Sequence, residues 1–313
     1  MALPIIDVRQ LNAGPAEKRA VARELHQACT DTGFFYIAHH GISPELQAAT
    51  LAEVKRFFAL PVEEKLLVDK SLSPCNRGYE KMRDQVLEAG TPPDLKEGFY
   101  VGEDLPPTDP RVIAGLFNHG PNQWPPTLPS FRPVLESYFS AMAGLATTLM
   151  RGMALSLDLE EDYFDAFCAD QMAILRLLHY PPQPANPMPD EKGCGAHTDW
   201  GCLTLLWQDD AGGLQVHTEG EWMPAPPIPG TYVVNVGDLF ARWTNDLYRS
   251  TLHRVINASG RERYSIPYFF EGNPTHEVAC IPTCLAPGAS PLYAPTTLNE
   301  HLQEMYRRTY VAA

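Results

Sequence analysis

The 313-residue chain is acidic, with 38 acidic against 24 basic residues, a formal net charge of −14, and 44% hydrophobic residues. This composition supports a packed core and argues against nucleic acids and anionic membranes as partners, because both attract basic surfaces. The seven cysteines are scattered and form no CxxC pairs, which predicts free thiols. We also expect a cytoplasmic protein, because the sequence shows no apolar run of membrane-spanning length and no apolar leader.

The first half of the chain predicts mainly helices. Residues 3–8 and 34–41 are typical of short strands, whereas 70–128 carries no sustained period and predicts loops and short elements. Helical periodicity marks four segments: 17–33, 44–59, 60–69 and 129–159. We therefore expect a helix-rich N-terminal part over residues 1–160.

From about residue 171 the period changes to that of short strands separated by Gly, Pro, Asp and Asn. The predicted strands are 172–180, 202–208, 213–218, 221–227, 231–238, 250–257 and 263–272. Because no helix is visible between them, we expect an antiparallel sandwich or barrel. The boundaries predicted are a core over 171–285, a C-terminal helix over 286–313, and a single catalytic domain over 1–313.

A possible metal site begins at the segment GAHTD, where His197 and Asp199 stand two residues apart. In a strand these side chains would share one face. His253 follows 54 residues later on another predicted strand. Two imidazoles and one carboxylate form the facial triad that holds Fe(II) and leaves coordination positions open. H-x-D alone is also common as a surface pair or a hydrogen-bonded pair, so the metal interpretation depends on its surroundings.

A second pair, Arg263 and Ser265, also has strand spacing, within the apolar segment RYSIPYFF. A guanidinium keeps its charge when buried and binds carboxylates through two hydrogen bonds. Burying it is costly unless an anion meets it. The pair therefore indicates either a carboxylate-binding site or an arginine on an edge strand that faces water.

HTD at 197–199, His253 and RYS at 263–265 together resemble the H-x-D…H…R-x-S pattern of the 2-oxoglutarate/Fe(II)-dependent dioxygenases, in particular the isopenicillin-N-synthase-like group. The resemblance extends over roughly residues 1–285. Further matching segments are GFFYIAHHGI, DLKEGFYVG, LRLLHYPPQP, QDDAGGLQV, WMPAPPIPGTYVVNVGD and LHRVIN. The resemblance implies an α+β, mainly β fold: a double-stranded β-helix (jelly-roll) core with surrounding N-terminal and C-terminal helices.

The resemblance also implies a role for each residue of the pattern. The implied iron ligands are His197, Asp199 and His253. The implied contacts of the distal carboxylate of 2-oxoglutarate are Arg263, Ser265 and Tyr180. One departure concerns Leu178, which stands where the family often has asparagine and cannot donate a hydrogen bond.

The implied activity is an oxidoreductase that uses Fe(II), 2-oxoglutarate and O2 to hydroxylate or desaturate a small molecule, releasing succinate and CO2. No catalytic residue beyond the metal ligands is required. Two alternatives stay open: an isopenicillin-N-synthase-type oxidase without 2-oxoglutarate, and an ethylene-forming-type fragmentation of 2-oxoglutarate. A non-redox metal-binding barrel is a third class, which the Arg-Ser pair disfavours. The primary substrate is not predicted, and we expect a monomer or weak oligomer. Candidate pocket residues are Arg83, Phe99, Tyr100, Trp207, Phe240, Trp243, Phe269 and Tyr306.

Overall fold

The structure is a computed structural model that describes residues 2–310, without the side chains of 308–310. Its helices are α1 Pro15–Asp31, α2 Pro44–Phe58, α3 Val62–Leu66, α4 Pro110–Ile113, α5 Phe131–Ser156, α6 Asp165–Cys168, α7 Asp238–Trp243 and α8 Leu298–Tyr310. Its strands are β1 Ile5–Asp7, β2 Phe34–Ala38, β3 Gly78–Glu80, β4 Glu97–Val101, β5 Met172–Tyr180, β6 Cys194–His197, β7 Leu203–Gln208, β8 Leu214–Thr218, β9 Glu221–Pro224, β10 Thr231–Val236, β11 His253–Val255, β12 Arg263–Gly272, β13 Glu277–Val278 and β14 Thr296–Thr297.

Two sheets form the jelly-roll core. The larger has eight strands in the order β1-β2-β10-β7-β12-β5-β4-β3, and the smaller has the order β6-β11-β8-β9. All neighbours pair antiparallel except β1 and β2. The expected fold class, α+β and mainly β with a jelly-roll core, is confirmed.

The large sheet is covered on both faces, since all nine residues of β5 are buried. One face of β5, with Ala173, Leu175 and Leu177, belongs to the apolar core that contains α1, α2 and α5. The other face, with Leu178 and Tyr180, belongs to a smaller cluster between the two sheets. This alternation follows from the period of two in a strand, and it places β5 beside the interior of the sandwich.

The N-terminal part contributes to the same sheet. Strands β1 and β2 extend it at one edge, and β3 and β4 extend it at the other. Helix α1 leads into β2 through Gly33, whose φ is +68° and whose Cβ would lie 1.9 Å from the Arg249 carbonyl oxygen. Only glycine fits that close approach in a left-handed conformation.

Two expectations about the helices of the second half differ from the structure. The expectation of no helix between the core strands is wrong, because α7 lies between β10 and β11; its six residues are too short to show a period. The C-terminal helix begins at Leu298 rather than 286, and the predicted residues 311–313 lie outside the described part. Among the described helices, none is long and apolar enough to cross a membrane.

Candidate metal centre and substrate cavity

The two histidines of the predicted triad face each other across neighbouring strands. His253 on β11 is the register partner of His197 on β6, and their rings lie 4.2 Å apart between centroids. The expectation that Asp199 shares a strand with His197 is wrong, because β6 ends at His197. Asp199 reaches the same place from the following loop, where its carbonyl accepts the amide N–H of Asp238.

Each histidine is held through its Nδ1 atom by a backbone carbonyl two residues before it. His197 Nδ1 lies 2.9 Å from the oxygen of Gly195, and His253 Nδ1 lies 3.2 Å from that of Thr251. A carbonyl can only accept, so Nδ1 carries the proton in a neutral ring and Nε2 keeps its lone pair. Both Nε2 atoms are therefore free to bind a cation.

Asp199 is oriented through one oxygen and leaves the other available. Its Oδ2 accepts hydrogen bonds from Asn235 Nδ2 at 2.7 Å and from Thr204 Oγ1 at 2.6 Å. Its Oδ1 lies 3.7 Å from the Nε2 atoms of His197 and His253, too far for hydrogen bonds. The sequence did not reveal that Asn235 and Thr204 orient Asp199, because Asn235 lies 36 residues away and Thr204, although only five residues after Asp199, belongs to no recognised motif.

The charge state of the cluster also suits a divalent cation. Burial lowers the pKa of His197 and lowers that of His253 to about 4, so both imidazoles are neutral near pH 7. Burial acts to raise the pKa of Asp199, but His253, His197 and the two hydrogen-bond donors outweigh it and lower that pKa. A carboxylate and two neutral imidazoles result.

One donor atom from each of His197, Asp199 and His253 lies within 4.8 Å of the other two. Three ligand atoms that converge without hydrogen bonds to one another fit a metal that prefers nitrogen and oxygen ligands. Their set, two imidazoles and one carboxylate, is the one that non-haem iron oxygenases use. Hydrogen bonds behind each ligand are the usual support of such a site.

Arg263 and Ser265 lie in the interior of the sandwich, not at an edge that faces water. The guanidinium of Arg263 is 0% exposed. It donates to Gly212 O at 2.6 Å, to Ser265 Oγ at 3.0 Å and to Gln208 Oε1 at 3.3 Å. Among the described residues no carboxylate lies within salt-bridge distance of it. A buried cation with only neutral partners is the state that an anionic ligand would complete.

Tyr180 and Leu178 complete this region from β5. Tyr180 is the register partner of Arg263, whose guanidinium lies 4.7 Å from the tyrosine ring centroid. Leu178 is the partner of Ser265 and is buried. The leucine therefore gives this site an apolar wall where the family often has an amide, and it places no donor beside Ser265.

A cavity of about 170 Å³ opens beside His197 and Asp199. Its walls combine aromatic and aliphatic side chains with a few charged ones. The aromatic residues are Tyr100, Phe117, Trp200, Phe269 and Tyr306. The polar residues include Lys70, Gln85, Arg176 and Glu271.

Three of the predicted pocket residues line this cavity: Tyr100, Phe269 and Tyr306. The other candidates lie elsewhere, since Arg83 forms an ion pair with Glu191 and the remaining four pack in or against the apolar core: Phe99, Trp207, Phe240 and Trp243. The polar residues of the cavity could not be recognised in the sequence, because they come from separate segments with no shared motif.

The chain matches two family models. Residues 3–127 match the model described as non-haem dioxygenase in morphine synthesis N-terminal, and residues 170–272 match the 2OG-Fe(II) oxygenase superfamily. Strands β5 to β12 and all three residues of the candidate triad fall within the second match.

Named proteins and a solved structure agree with these models. The chain is 46% identical to the 2-oxoglutarate-Fe(II) type oxidoreductase hxnY of Emericella nidulans, over 98% of this chain and 90% of that one. It is 37% identical to homoarginine-6-hydroxylase 2-ODD-C23 of Glycine max, over 87% and 86%. A full-length Neurospora crassa protein, solved in complex with alpha-KG and thymine, superposes with a TM-score of 0.86 at 31% identity, covering 98% and 97%.

These matches confirm the predicted enzyme class and its requirements for Fe(II), 2-oxoglutarate and O2, and they favour that prediction over an oxidase without 2-oxoglutarate. The chain belongs to the 2OG-Fe(II) oxygenase superfamily and is a 2-oxoglutarate-dependent dioxygenase that acts on a small molecule.

Proposed function

We propose that His197 Nε2, Asp199 Oδ1 and His253 Nε2 hold the Fe(II) of this dioxygenase. The observation that carries the assignment is that these three atoms converge without bonding to one another, while the second polar atom of each side chain is occupied elsewhere. Iron and 2-oxoglutarate bound there would supply the O2-dependent oxidation of a substrate C–H bond, with release of succinate and CO2.

We further propose that Arg263 binds the distal carboxylate of 2-oxoglutarate, with Ser265 and Tyr180 beside it. The full burial of its guanidinium and its lack of an acidic partner among the described residues support this role. Cys194 lies between the two regions, since its sulfur is 3.8 Å from His197 Nδ1 and its side chain belongs to the same buried cluster as Tyr180. Leu178 would exclude water from the same region.

The remaining work of the protein is to hold the ligands and to shield the site. Asn235 and Thr204 keep the Asp199 carboxylate turned so that Oδ1 faces the histidines. Helix α8 closes one side of the cavity through Leu302 and Tyr306. Exclusion of water protects an oxidising site from side reactions.

The substrate would be a small molecule hydroxylated in the cavity. One relative is named as a homoarginine-6-hydroxylase, and one similar structure contains thymine, so both precedents are small nitrogen-containing compounds. The net charge of −14 argues against a nucleic-acid substrate. Seven free cysteines fit a reducing, cytoplasmic location. We propose a monomer or weak oligomer in which the whole chain acts as one catalytic domain, since N-terminal and core strands share a sheet.

Substitution of single ligands tests the assignment. We expect His197→Ala, Asp199→Ala and His253→Ala each to abolish stoichiometric iron binding and succinate release, because two remaining ligands hold the metal weakly. His217→Ala is the matched control, since His217 lies on β8 beside Trp222 and outside the donor cluster. Iron content by mass spectrometry and succinate by chromatography are the readouts. An Asp199→Ala enzyme with full iron content and turnover would refute the ligand set.

A further inference from the structure

One acidic side chain of the cavity has no role in binding iron or 2-oxoglutarate as proposed above. Glu271 on β12 lines the cavity and is only 8% exposed. It makes no hydrogen bond or ion pair with the described residues, and its Oε2 is a buried oxygen without a partner. A buried carboxyl group without a partner is costly to folding, so it calls for a ligand or another explanation.

The backbone is shaped to place this carboxyl group in the cavity. The pairing of β12 with β5 shifts register between Phe270 and Gly272, so Glu271 is the extra residue of a β-bulge. Bulges are common beside active sites, where they redirect a side chain. On the other side, Gly201 leaves room, because a Cβ there would lie 1.5 Å from Glu271 Oε2. A side chain at position 201 would therefore displace the carboxyl group.

Among the described residues, the two cations that line the cavity, Lys70 and Arg176, are engaged with another acid. Lys70 Nζ donates to Glu80 Oε1 at 2.6 Å, and Arg176 donates to Glu80 Oε2. Burial opposes ionisation of Glu80, but these two cations lower its pKa to about 2. Glu80 is thus a carboxylate with two cationic partners, whereas Glu271 has none among the described residues. Burial, with the charge of Asp199, raises the pKa of Glu271 to about 8, as is usual when no counter-charge is near.

We propose that Glu271 recognises the substrate, and that the substrate presents a cationic nitrogen to it, as in an amine, amidine or guanidine. This inference rests on the proposed function, since it makes the cavity beside His197 and Asp199 the substrate site. The cation would supply the missing counter-charge, and the carboxyl group would ionise and accept its N–H bonds. The Phe269 ring in the cavity wall is a suitable contact for a cation or a flat group.

Two probes of similar shape test the charge preference: benzamidine, which is cationic, and benzamide, which is neutral. Calorimetric titrations would use anaerobic enzyme loaded with Fe(II) and 2-oxoglutarate. We expect benzamidine to bind wild type roughly tenfold to a hundredfold more tightly than benzamide, the range typical of a hydrogen bond to a charged group. Glu271→Gln should remove this preference, whereas Glu277→Gln, an exposed control on β13, should keep it.

Each other outcome would overturn the proposal. Benzamide binding as tightly as benzamidine would indicate that Glu271 acts as a neutral acid towards an amide. Absence of benzamidine binding, or unchanged affinity in Glu271→Gln, would leave the carboxyl group without a recognition role. The visible charge-transfer band of iron-bound 2-oxoglutarate, recorded in the same samples, distinguishes failure of the Glu271 proposal from failure of the proposed metal and co-substrate site. Loss of that band in wild type would refute the proposed metal and co-substrate site, whereas a retained band confines the failure to Glu271.

Discussion

Replacing Arg263 with glutamine should separate co-substrate binding from folding. The guanidinium donates to one backbone carbonyl and two side chains, all of them neutral. Glutamine removes the charge and most of the donors while keeping a polar side chain. We expect the free enzyme to lose little stability, because a buried cation without an acidic partner contributes little to folding. The affinity for 2-oxoglutarate should fall steeply.

The size of that loss follows from the buried pair that would form. Removing one partner of a buried, hydrogen-bonded ion pair costs about 3–5 kcal/mol. Since about 1.4 kcal/mol corresponds to a tenfold change, the dissociation constant should rise roughly a hundredfold to a thousandfold or more. Thermal unfolding of the Fe(II)-loaded enzyme at increasing 2-oxoglutarate concentrations measures this, because ligand stabilisation depends on the ratio of concentration to dissociation constant.

The matched control is Arg254→Gln. Arg254 lies on β11, donates to Gln215 and stacks on Trp222, away from the guanidinium of Arg263 and its partners. This variant should respond to 2-oxoglutarate as wild type does. A change of less than about threefold in the affinity of Arg263→Gln for 2-oxoglutarate would refute the role of Arg263, because it is much smaller than the contribution of one hydrogen bond to a charged group. The distal carboxylate would then bind elsewhere.

Two further predictions concern residues that support or face the metal centre. Asn235→Ala should weaken iron binding roughly tenfold to a hundredfold, because Asp199 Oδ2 loses its 2.7 Å hydrogen bond; an unchanged iron titration would contradict this role. Glu271→Gln should change how stability depends on pH. The folded pKa of Glu271, about 8, exceeds its ordinary value of 4.5, so its protonated form stabilises the wild type below about pH 4.5 and this contribution is lost as pH rises towards 8. Urea unfolding of the iron-free protein should therefore show that the free energy of unfolding of Glu271→Gln rises relative to that of wild type by on the order of a few kcal/mol between pH 5 and pH 8.5. Free energies of unfolding that depend on pH in the same way in both proteins would contradict the raised pKa of Glu271.

The sequence predicted the parts of the fold that have a strong period. Helix α5, with 26 residues, and the long strand β12 follow their hydrophobic patterns closely. Strand β6 contains one glycine and one alanine among its four residues and has little intrinsic preference for a strand. Its pairing with β11 stabilises the extended conformation. Helix α7 is too short to show a period. Tertiary pairing therefore determines the elements that local pattern does not.

The candidate site likewise combines residues that the sequence reveals with residues that only the fold brings together. The residue types and spacing of H-x-D and R-x-S made His197, Asp199 and Arg263 recognisable in the sequence. Asn235 interacts with Asp199 only because β10 lies beside β7 in the sheet, and this contact depends on topology. Glu271 faces the cavity through a bulge in β12, which the alternation of residues in RYSIPYFFEG does not reveal. Contacts between distant segments need the fold.

The most direct test of the metal and co-substrate site is an anaerobic titration of the iron-free protein with Fe(II) and 2-oxoglutarate, followed by visible absorption. The site described here predicts a charge-transfer band that saturates at one iron and one 2-oxoglutarate per chain, and that is absent in His253→Ala. A band that persists in His253→Ala would contradict the ligand set. Iron binding by the wild type without any band would contradict chelation of the co-substrate at this centre.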